Sequence, residues 1–194
     1  MEIDSSLLTT YITVVKDFLP QKNFDVFFKN IKHMKDWKPA EVVGNGRGEI
    51  IKSIRDVEMI NLINGELEKE FTKIHWCNFI LHKFTKALEQ YSKNTNSEKL
   101  FIKEIQLLKY SKNNFYNFHV DHGRTTPRTV SMIYFLNNNY EGGELEFQTP
   151  LKDKTLKIEK TENTLIMWPS NFLYPHRVTP VKNGTRYSIV SWAL

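Results

Sequence analysis

Two histidines and an aspartate form the set of side chains in this sequence with the clearest chemical potential. His119 and Asp121 are separated by one residue, and His176 follows far downstream. Two imidazoles and one carboxylate are the facial ligand set of non-haem Fe(II), which leaves other positions open for substrate and oxygen. Because residues i and i+2 of a strand share a face, His119 and Asp121 could reach one ion while Val120 points away. The three residues therefore predict a mononuclear iron site.

A fixed positive charge follows the second histidine at a position that suits a carboxylate anchor. Arg186 lies ten residues after His176 and begins a strand-like run. A guanidinium group can hold a carboxylate through two parallel hydrogen bonds. Ser188, Val190 and Trp192 would share the inward face of that strand with Arg186. We therefore expect Arg186 to bind a carboxylate-bearing co-substrate inside the barrel, against the alternative of an ordinary surface arginine.

The second half of the chain predicts the strands that would position these side chains. Eight short segments alternate in polarity or are rich in β-branched and aromatic residues, with turns between them. They are residues 100–110, 116–121, 129–136, 144–147, 155–158, 164–168, 176–178 and 186–192. Short strands in this number are typical of a jelly roll, so this half predicts a double-stranded β-helix.

The first half predicts elements that would support the barrel. Apolar residues recur every three or four positions in two segments, which predicts amphipathic helices, and two β-branched or aromatic segments predict strands. The helices are residues 23–34 and 64–92, and the strands are residues 11–15 and 37–43. His75 and His82 lie on the longer helix without a second donor four residues away, so neither is predicted to bind a metal.

Length and composition indicate one globular α+β domain. The chain has 194 residues, of which 40% are hydrophobic and 25% charged, as is ordinary for a globular protein. We expect residues 1–99 to supply strands and helices that pack against a catalytic double-stranded β-helix in residues 100–194. The net charge of +5 permits a nucleic-acid partner but does not favour one, because no block of like charge stands out.

Cysteine content and hydropathy bear on localisation. Cys77 is the single cysteine, so no intrachain disulfide can form, which fits a reducing compartment. The first ten residues lack the basic and apolar regions of a signal peptide, and no apolar run approaches the ~20 residues needed to cross a bilayer. The sequence therefore predicts a cytoplasmic protein with no membrane association.

A series of motifs between Leu107 and Trp192 occurs in the order and spacing of a known family. The motifs are Tyr110, Tyr116-x-x-His119-x-Asp121, Arg128-x-Val130-x-x-x-Tyr134-Phe135-Leu136, Gly142-Gly143-Glu144-Leu145, Pro175-His176-Arg177-Val178-x-Pro180-Val181, Gly184-Thr185-Arg186-Tyr187 and Trp192. This stretch resembles the catalytic domain of the prolyl 4-hydroxylase branch of the Fe(II)/2-oxoglutarate-dependent oxygenases.

The resemblance implies roles for residues around the metal and the co-substrate. Fe(II) would be held by His119, Asp121 and His176, the residues that would carry the catalysis. The C5 carboxylate of 2-oxoglutarate would pair with Arg186 and be supported by the hydroxyl of Tyr110. Leu145 and Val178 would contact the same co-substrate, although Leu145 could equally fill the barrel. The resemblance also implies ascorbate as an accessory reductant.

The resemblance also implies a substrate. Tyr116 and Trp192 match aromatic positions that flank the substrate proline, and Arg128 matches an arginine on the substrate side. The expected reaction is hydroxylation of prolyl residues in a peptide or protein, with release of succinate and CO2. Two alternatives stay open, namely an oxygenase acting on a nucleobase, free amino acid or other small molecule, and a non-catalytic metal-binding jelly roll. Whether Phe135 or Tyr134 faces the co-substrate also stays open.

Overall fold

The computed structural model describes residues 9–43, 47–63, 71–149 and 154–194. The predicted start of the longer helix, residues 64–70, lies outside the described residues. Within them the chain forms helices α1 (Gln21–Ile31) and α2 (Phe71–Thr95). The strands are β1 (Thr13–Val15), β2 (Lys38–Pro39), β3 (Val42–Val43), β4 (Gly48–Glu49), β5 (Arg55–Asp56), β6 (Glu58–Asn61), β7 (Ile102–Tyr110), β8 (Phe115–His119), β9 (Val130–Phe135), β10 (Glu141–Gly142), β11 (Leu145–Gln148), β12 (Thr155–Lys157), β13 (Thr164–Pro169), β14 (His176–Val178), β15 (Val181–Asn183) and β16 (Arg186–Ala193).

Two antiparallel sheets form the β core of the described chain. The larger sheet has the order β1-β13-β9-β16-β7-β6-β2, and the smaller has the order β12-β11-β14-β8-β5. Short ladders join β10 to β15 and β3 to β4. All eight strands predicted for the second half are present, and none differs from its prediction by more than two residues at either end.

The larger sheet is covered on both faces, which explains why its central strands are almost entirely apolar. All six residues of β9 are buried. Met132 and Tyr134 pack in a cluster with the helices, whereas Ile133 and Phe135 pack in a second cluster with residues of the smaller sheet. Alternation along a strand therefore divides one apolar run between two cores. The result is a β-sandwich with helices on its outer face, in agreement with the predicted α+β class.

The helices present their apolar faces to the larger sheet. On α1 the buried residues are Phe24, Phe27 and Ile31, which recur at helical spacing. On α2, Ile80 and Phe84 are completely buried in the same cluster. Neither of the two described helices combines the length and apolarity needed to cross a lipid bilayer.

The predicted single strand at residues 37–43 is wrong in detail. It divides into β2, which pairs with β6, and β3, which pairs with β4 in a separate ladder. Ala40 lies between them, and its N–H donates to the carbonyl of Val57 at 2.9 Å. Short β-branched segments carry no signal for a change of partner, so the sequence could not show this division.

Two glycines bring the chain close to Arg186. Gly142 and Gly143 have φ angles of +70° and +62°, which glycine adopts without the strain that other residues suffer. A Cβ atom on Gly142 would clash with the carbonyl oxygen of Pro180. A Cβ on Gly143 would lie 3.0 Å from the Cδ of Arg186. The turn before β11 therefore needs glycines because the arginine side chain passes directly beside it.

Candidate metal centre

His119, Asp121 and His176 meet at one end of the space between the two sheets. One donor atom from each residue lies within 4.8 Å of the others. The two carboxylate oxygens of Asp121 lie 3.4 Å from the Nε2 atoms of His119 and His176. His119 pairs directly with His176 across β8 and β14, which places both imidazoles at the same level. Strand β8 ends at His119, so Asp121 follows the strand rather than continuing its alternation, and Val120 lines an outer cleft.

Backbone carbonyls orient both imidazoles. Nδ1 of His119 lies 2.8 Å from the carbonyl of Asn117, and Nδ1 of His176 lies 3.0 Å from that of Tyr174. A carbonyl oxygen only accepts hydrogen bonds, so each Nδ1 must carry the proton. Each Nε2 therefore points toward Asp121 and is the nitrogen that a metal would use, as is usual for histidines that bind metals.

The carboxylate and the buried imidazole are held in the ionisation states that a metal requires. Burial alone would raise the pKa of Asp121, but charge interaction with His176 and hydrogen bonds from His119 and Ser131 outweigh it and lower that pKa. Burial and the neighbouring His119 lower the pKa of His176 to about 4. At neutral pH the carboxylate is ionised and this imidazole is neutral, as metal ligation demands.

The lowered pKa of His176 predicts a pH-dependent stability of the metal-free protein. An unfolded histidine takes up a proton near pH 6.5, whereas His176 in the fold stays neutral down to about pH 4. The unfolded state therefore gains protons first as the pH falls. The free energy of unfolding should decrease between these pH values by roughly 3 kcal/mol from this residue. Urea denaturation of chelator-treated protein at several pH values measures the slope of the free energy of unfolding against pH.

A matched pair of variants separates this contribution from general acid destabilisation. His176→Gln should flatten the slope, whereas His82→Gln should not, because His82 is exposed on α2. An unchanged slope in His176→Gln would contradict the prediction.

Arg186 lies at the other end of the same space and is completely buried. Its Nη1 donates to the hydroxyl of Ser188 at 2.9 Å, and its guanidinium carbon lies 4.8 Å from the ring centre of Tyr110 and 5.4 Å from that of Phe135. Its Nε and Nη2 atoms have no partner within hydrogen-bond geometry among the described residues, and the neighbouring group that interacts with the guanidinium is the hydroxyl of Tyr110, which carries no negative charge. A buried charge of this kind calls for an anionic ligand, because leaving it unpaired costs several kcal/mol.

Tyr134 and Phe135 point to opposite sides of the larger sheet. The hydroxyl of Tyr134 donates to Asn163 at 2.6 Å on the side of the helices, and burial raises its pKa. Phe135 lies beside Arg186 on the inner side. The residue that faces the carboxylate anchor is therefore Phe135, and Tyr134 does not replace it.

An inner cavity runs between the triad and the neighbourhood of Arg186. Its volume is about 30 Å³. The residues that line it include all of the predicted contacts except the two arginines Arg128 and Arg186, namely Tyr110, Tyr116, His119, Asp121, Leu145, His176, Val178 and Trp192. Apolar walls made by Leu145, Val178 and Val190 limit the access of water to this space.

Tyr116 is brought to the triad by an irregularity in the strand pairing. The register shifts between the pairs His119–His176 and Tyr116–Val178. The ring of Tyr116 consequently stacks on that of His119, with 3.6 Å between ring centres and 15° between planes. Strict alternation would place residues three apart on opposite faces. Burial raises the pKa of Tyr116 to about 12, so its phenol stays protonated.

Arg128 and Trp192 lie in a second, polar cleft outside the triad. Its volume is about 290 Å³, and it shares Arg55, Tyr116, Asp121 and Trp192 with the inner cavity. The guanidinium carbon of Arg128 stacks 3.7 Å from the ring centre of Trp192, and Nη2 contacts the carboxylate of Glu104 at 3.2 Å. The arginine predicted for the substrate side is thus already engaged by a carboxylate.

The part of the chain that carries these residues is similar to a known family of enzymes. A family model described as the 2OG-Fe(II) oxygenase superfamily matches residues 105–194, which include all three triad residues and Arg186. The match covers just under half of the chain. The cofactors of this superfamily are Fe(II) and 2-oxoglutarate, and its enzymes are 2-oxoglutarate-dependent dioxygenases, as the sequence predicts.

Similar sequences are PKHD-type hydroxylases. One from Hyphomonas neptunium is 36% identical over 85 residues, which cover 40% of this chain and 36% of that protein. One from Prochlorococcus marinus is 30% identical over 136 residues, which cover 66% of this chain and 55% of that protein. The chain thus spans about a third to a half of the length of these relatives.

Similar solved structures include prolyl hydroxylases. A prolyl hydroxylase from Trichoplax adhaerens, in complex with a hypoxia inducible factor peptide fragment, gives a TM-score of 0.74 at 20% identity and covers 98% of this chain and 88% of its own. A prolyl-4-hydroxylase from Pseudomonas putida gives 0.73 at 18% identity and covers 97% of each chain. At this identity the likeness concerns the fold alone.

The residues of the site fit both cofactors of the superfamily. Two imidazoles and a carboxylate on one side of a cavity suit Fe(II), and the guanidinium edge of Arg186 suits a carboxylate of 2-oxoglutarate. His122, beside the triad, takes no part, because its Nδ1 contacts the carbonyl of Arg128 at 2.7 Å and its side chain is exposed.

Several residues of the site were missed by sequence reasoning. Ser131 donates to Asp121 at 2.6 Å, and its hydroxyl lies 2.7 Å from that of Ser170. Ser131 shares the inner face of β9 with Ile133 and Phe135, so strand alternation contained a signal for it. Arg55 lines both cavities. No motif marks it, because β5 is a two-residue strand formed only by pairing with β8.

Proposed function

We propose that this chain is an Fe(II)- and 2-oxoglutarate-dependent hydroxylase that acts on prolyl residues of a peptide or protein and releases succinate and CO2. The observation that carries the proposal is the placement of two complementary sites around one cavity. A His–Asp–His cluster lies at one end, and a buried guanidinium with two unpartnered nitrogen atoms lies near the other. A purely structural metal site would need no such buried cation.

We assign the binding of iron to His119, Asp121 and His176. The two histidines would provide neutral nitrogen donors, and Asp121 would provide the negative charge. The hydroxyl of Ser131, 2.6 Å from Oδ2 of Asp121, would fix the orientation of the carboxylate. Hydrogen bonds of this kind commonly tune affinity for the metal.

We assign the binding of 2-oxoglutarate to Arg186 and Tyr110, with Leu145 and Val178 as apolar walls. Nε and Nη2 of Arg186 form one edge of the guanidinium, which matches the two oxygens of a carboxylate. Burial raises the pKa of Tyr110, so its hydroxyl stays available as a donor to the same carboxylate. When bound, iron and 2-oxoglutarate would supply the oxidising chemistry that hydroxylates a substrate carbon.

The proposed function also implies a particular arrangement of the two sheets. We infer that the two facing sheets constitute a double-stranded β-helix in residues 100–194 and that residues 1–99 support it within one domain. Support comes from the mixed core between the sheets, where Leu145 and Phe147 of the smaller sheet pack with Ile133 and Trp168 of the larger.

The outer cleft is the proposed entrance for a peptide. Trp192 and Tyr116 flank the passage between this cleft and the inner cavity. Aromatic faces suit an apolar prolyl ring. The prolyl hydroxylases with this fold include one in complex with a peptide fragment and a viral collagen prolyl hydroxylase. We propose that Arg128 positions Trp192 by stacking on it, in addition to contacting the substrate.

The test is conversion of 2-oxoglutarate to succinate by protein supplied with Fe(II), oxygen and ascorbate. We expect a proline-rich peptide to stimulate succinate formation and to gain the mass of one oxygen atom on a prolyl residue. The matched control is the same peptide with alanine in place of proline. Omission of ascorbate determines whether it is needed as a reductant. Succinate formation that no peptide stimulates would contradict the assignment of a peptide substrate. The absence of succinate formation when Fe(II) is present would contradict the oxygenase activity itself.

A further inference from the structure

Arg55 is a second buried guanidinium without a counter-charge among the described residues. It is 6% exposed. Its Nη1 donates to the carbonyl of Glu41 at 2.8 Å, and its Nη2 makes a long contact of 3.4 Å with Oε1 of Gln106. Its Nε has no partner within the described ranges. The edge formed by Nε and Nη2 is therefore poorly satisfied, as it is in Arg186.

Arg55 lies where the two cavities meet. It lines both the inner cavity and the outer cleft. Its guanidinium carbon is 4.9 Å from the ring centre of Tyr116, whose ring in turn stacks on His119. A group bound by Arg55 would thus be separated from the metal ligands by a single aromatic ring.

The other charged groups of the outer cleft do not neutralise Arg55. Glu104 contacts Arg128 at 3.2 Å and accepts a hydrogen bond from Gln106 at 3.3 Å. Asp121, which also lines this cleft, is engaged by His119, His176 and Ser131 and forms no ion pair with Arg55 among the described residues. The exposed side chain of Glu41 lies against Gly48 at the rim, and only its backbone carbonyl contacts Arg55. Of the two arginines in the cleft, Arg128 is therefore paired with a carboxylate, whereas Arg55 is not.

We propose that Arg55 binds a carboxylate of the substrate and so determines its specificity. The carboxylate would belong either to an acidic residue next to the hydroxylated residue or to the α-carboxyl group of an amino acid. This inference rests on the proposed function for the identity of the metal site. It differs from the assignment of Arg186, because Arg55 faces the outer cleft from which a substrate would enter.

Equilibrium binding to the whole chain loaded with Zn(II) and 2-oxoglutarate tests the proposal without turnover. The probes are the blocked dipeptide amides prolyl-glutamate and prolyl-glutamine, and the pair L-proline and L-prolinamide. We expect at least one carboxylate probe to bind about tenfold more tightly than its amide, as a charge-assisted hydrogen bond implies. The dipeptide pair reports an acidic side chain, and the proline pair reports an α-carboxylate.

Three variants make the result specific to Arg55. Arg55→Gln should abolish the preference for carboxylate, and Arg55→Lys should keep part of it. Arg177→Gln is the matched control and should keep the whole preference for carboxylate. Like Arg55, Arg177 stacks on an aromatic residue of β8, with its guanidinium carbon 4.6 Å from the ring centre of Phe118, but it already pairs with Glu146. A merely structural role of Arg55 would weaken both members of a probe pair equally.

The proposal is overturned if wild-type protein shows no preference, including no measurable binding of any probe, or if Arg55→Gln retains the preference. It is also overturned if Arg55→Gln weakens 2-oxoglutarate itself, since the carboxylate would then be that of the co-substrate. Because binding needs no catalysis, failure of the hydroxylase proposal would appear separately, as absence of succinate formation.

Discussion

Asp121→Ala is expected to abolish conversion of 2-oxoglutarate to succinate. Asp121 is the carboxylate of the triad and lies between the two imidazoles, 3.4 Å from each Nε2. Its loss would remove one ligand of the metal and would leave the two imidazoles without a negative charge to balance that of Fe(II). Changes in the groups around a metal ligand typically cost 10–100-fold, so loss of the ligand itself should exceed about 100-fold. Succinate formation and bound iron are measured on the same samples.

Controls separate this effect from misfolding. Ser131 retains a partner in the variant, because its hydroxyl lies 2.7 Å from that of Ser170, so the core should tolerate the change. Ser131→Ala should lose roughly 10–100-fold in iron affinity or activity. Glu159→Ala removes an exposed carboxylate that pairs with Lys16 and should have no effect. Normal succinate production by folded Asp121→Ala would exclude this metal assignment.

The central strands of the second half, such as β9 and β16, were predictable because at least one face of each is buried. Strand β16 places Arg186 and Ser188 on the inner side and Ile189 in the cluster with the helices, as period-two alternation requires. Short strands such as β5 and β10 have two residues each and no pattern of their own. They exist because a neighbouring strand supplies hydrogen bonds, and that neighbour is fixed only by the complete fold.

The relation between Tyr116 and the triad illustrates what a local pattern cannot contain. The sequence places Tyr116 three residues before His119, which leaves its face ambiguous. The register shift between β8 and β14 stacks the two rings. A bulge is a property of two strands together, so neither strand alone predicts it.

Contacts between charged residues in the clefts were beyond prediction for a similar reason. Arg128 was expected on the substrate side, and it does line the outer cleft. Its ion pair with Glu104 depends on where β7 lies relative to the loop before β9. Arg55 comes from a part of the chain with no motif, and only the pairing of β5 with β8 brings it beside Tyr116.

Arg186→Met is expected to impair 2-oxoglutarate binding severely while leaving iron affinity nearly unchanged. The variant removes a buried charge-assisted contact worth roughly 2–5 kcal/mol, which corresponds to about a 30-fold or greater rise in the 2-oxoglutarate concentration required. Arg186→Lys keeps a charge but not the two-pronged edge, so its loss should be intermediate. The KM for 2-oxoglutarate and the Kd for iron are compared across the three proteins.

Stability measurements separate ligand binding by Arg186 from a structural role, because the two predict opposite signs. In the ligand-free protein the guanidinium is fully buried, and its neighbours Ser188 and Tyr110 are uncharged hydroxyl groups. Replacement of an unpaired buried charge by an apolar side chain of similar length should leave the free energy of unfolding unchanged or increase it. Added 2-oxoglutarate should raise the Tm of the wild-type protein and have little effect on Arg186→Met. A structural arginine would instead give a variant that is less stable without ligand and binds iron and 2-oxoglutarate equally poorly. Only an arginine whose charge is reserved for an anion can be both costly to the empty fold and necessary for the filled one.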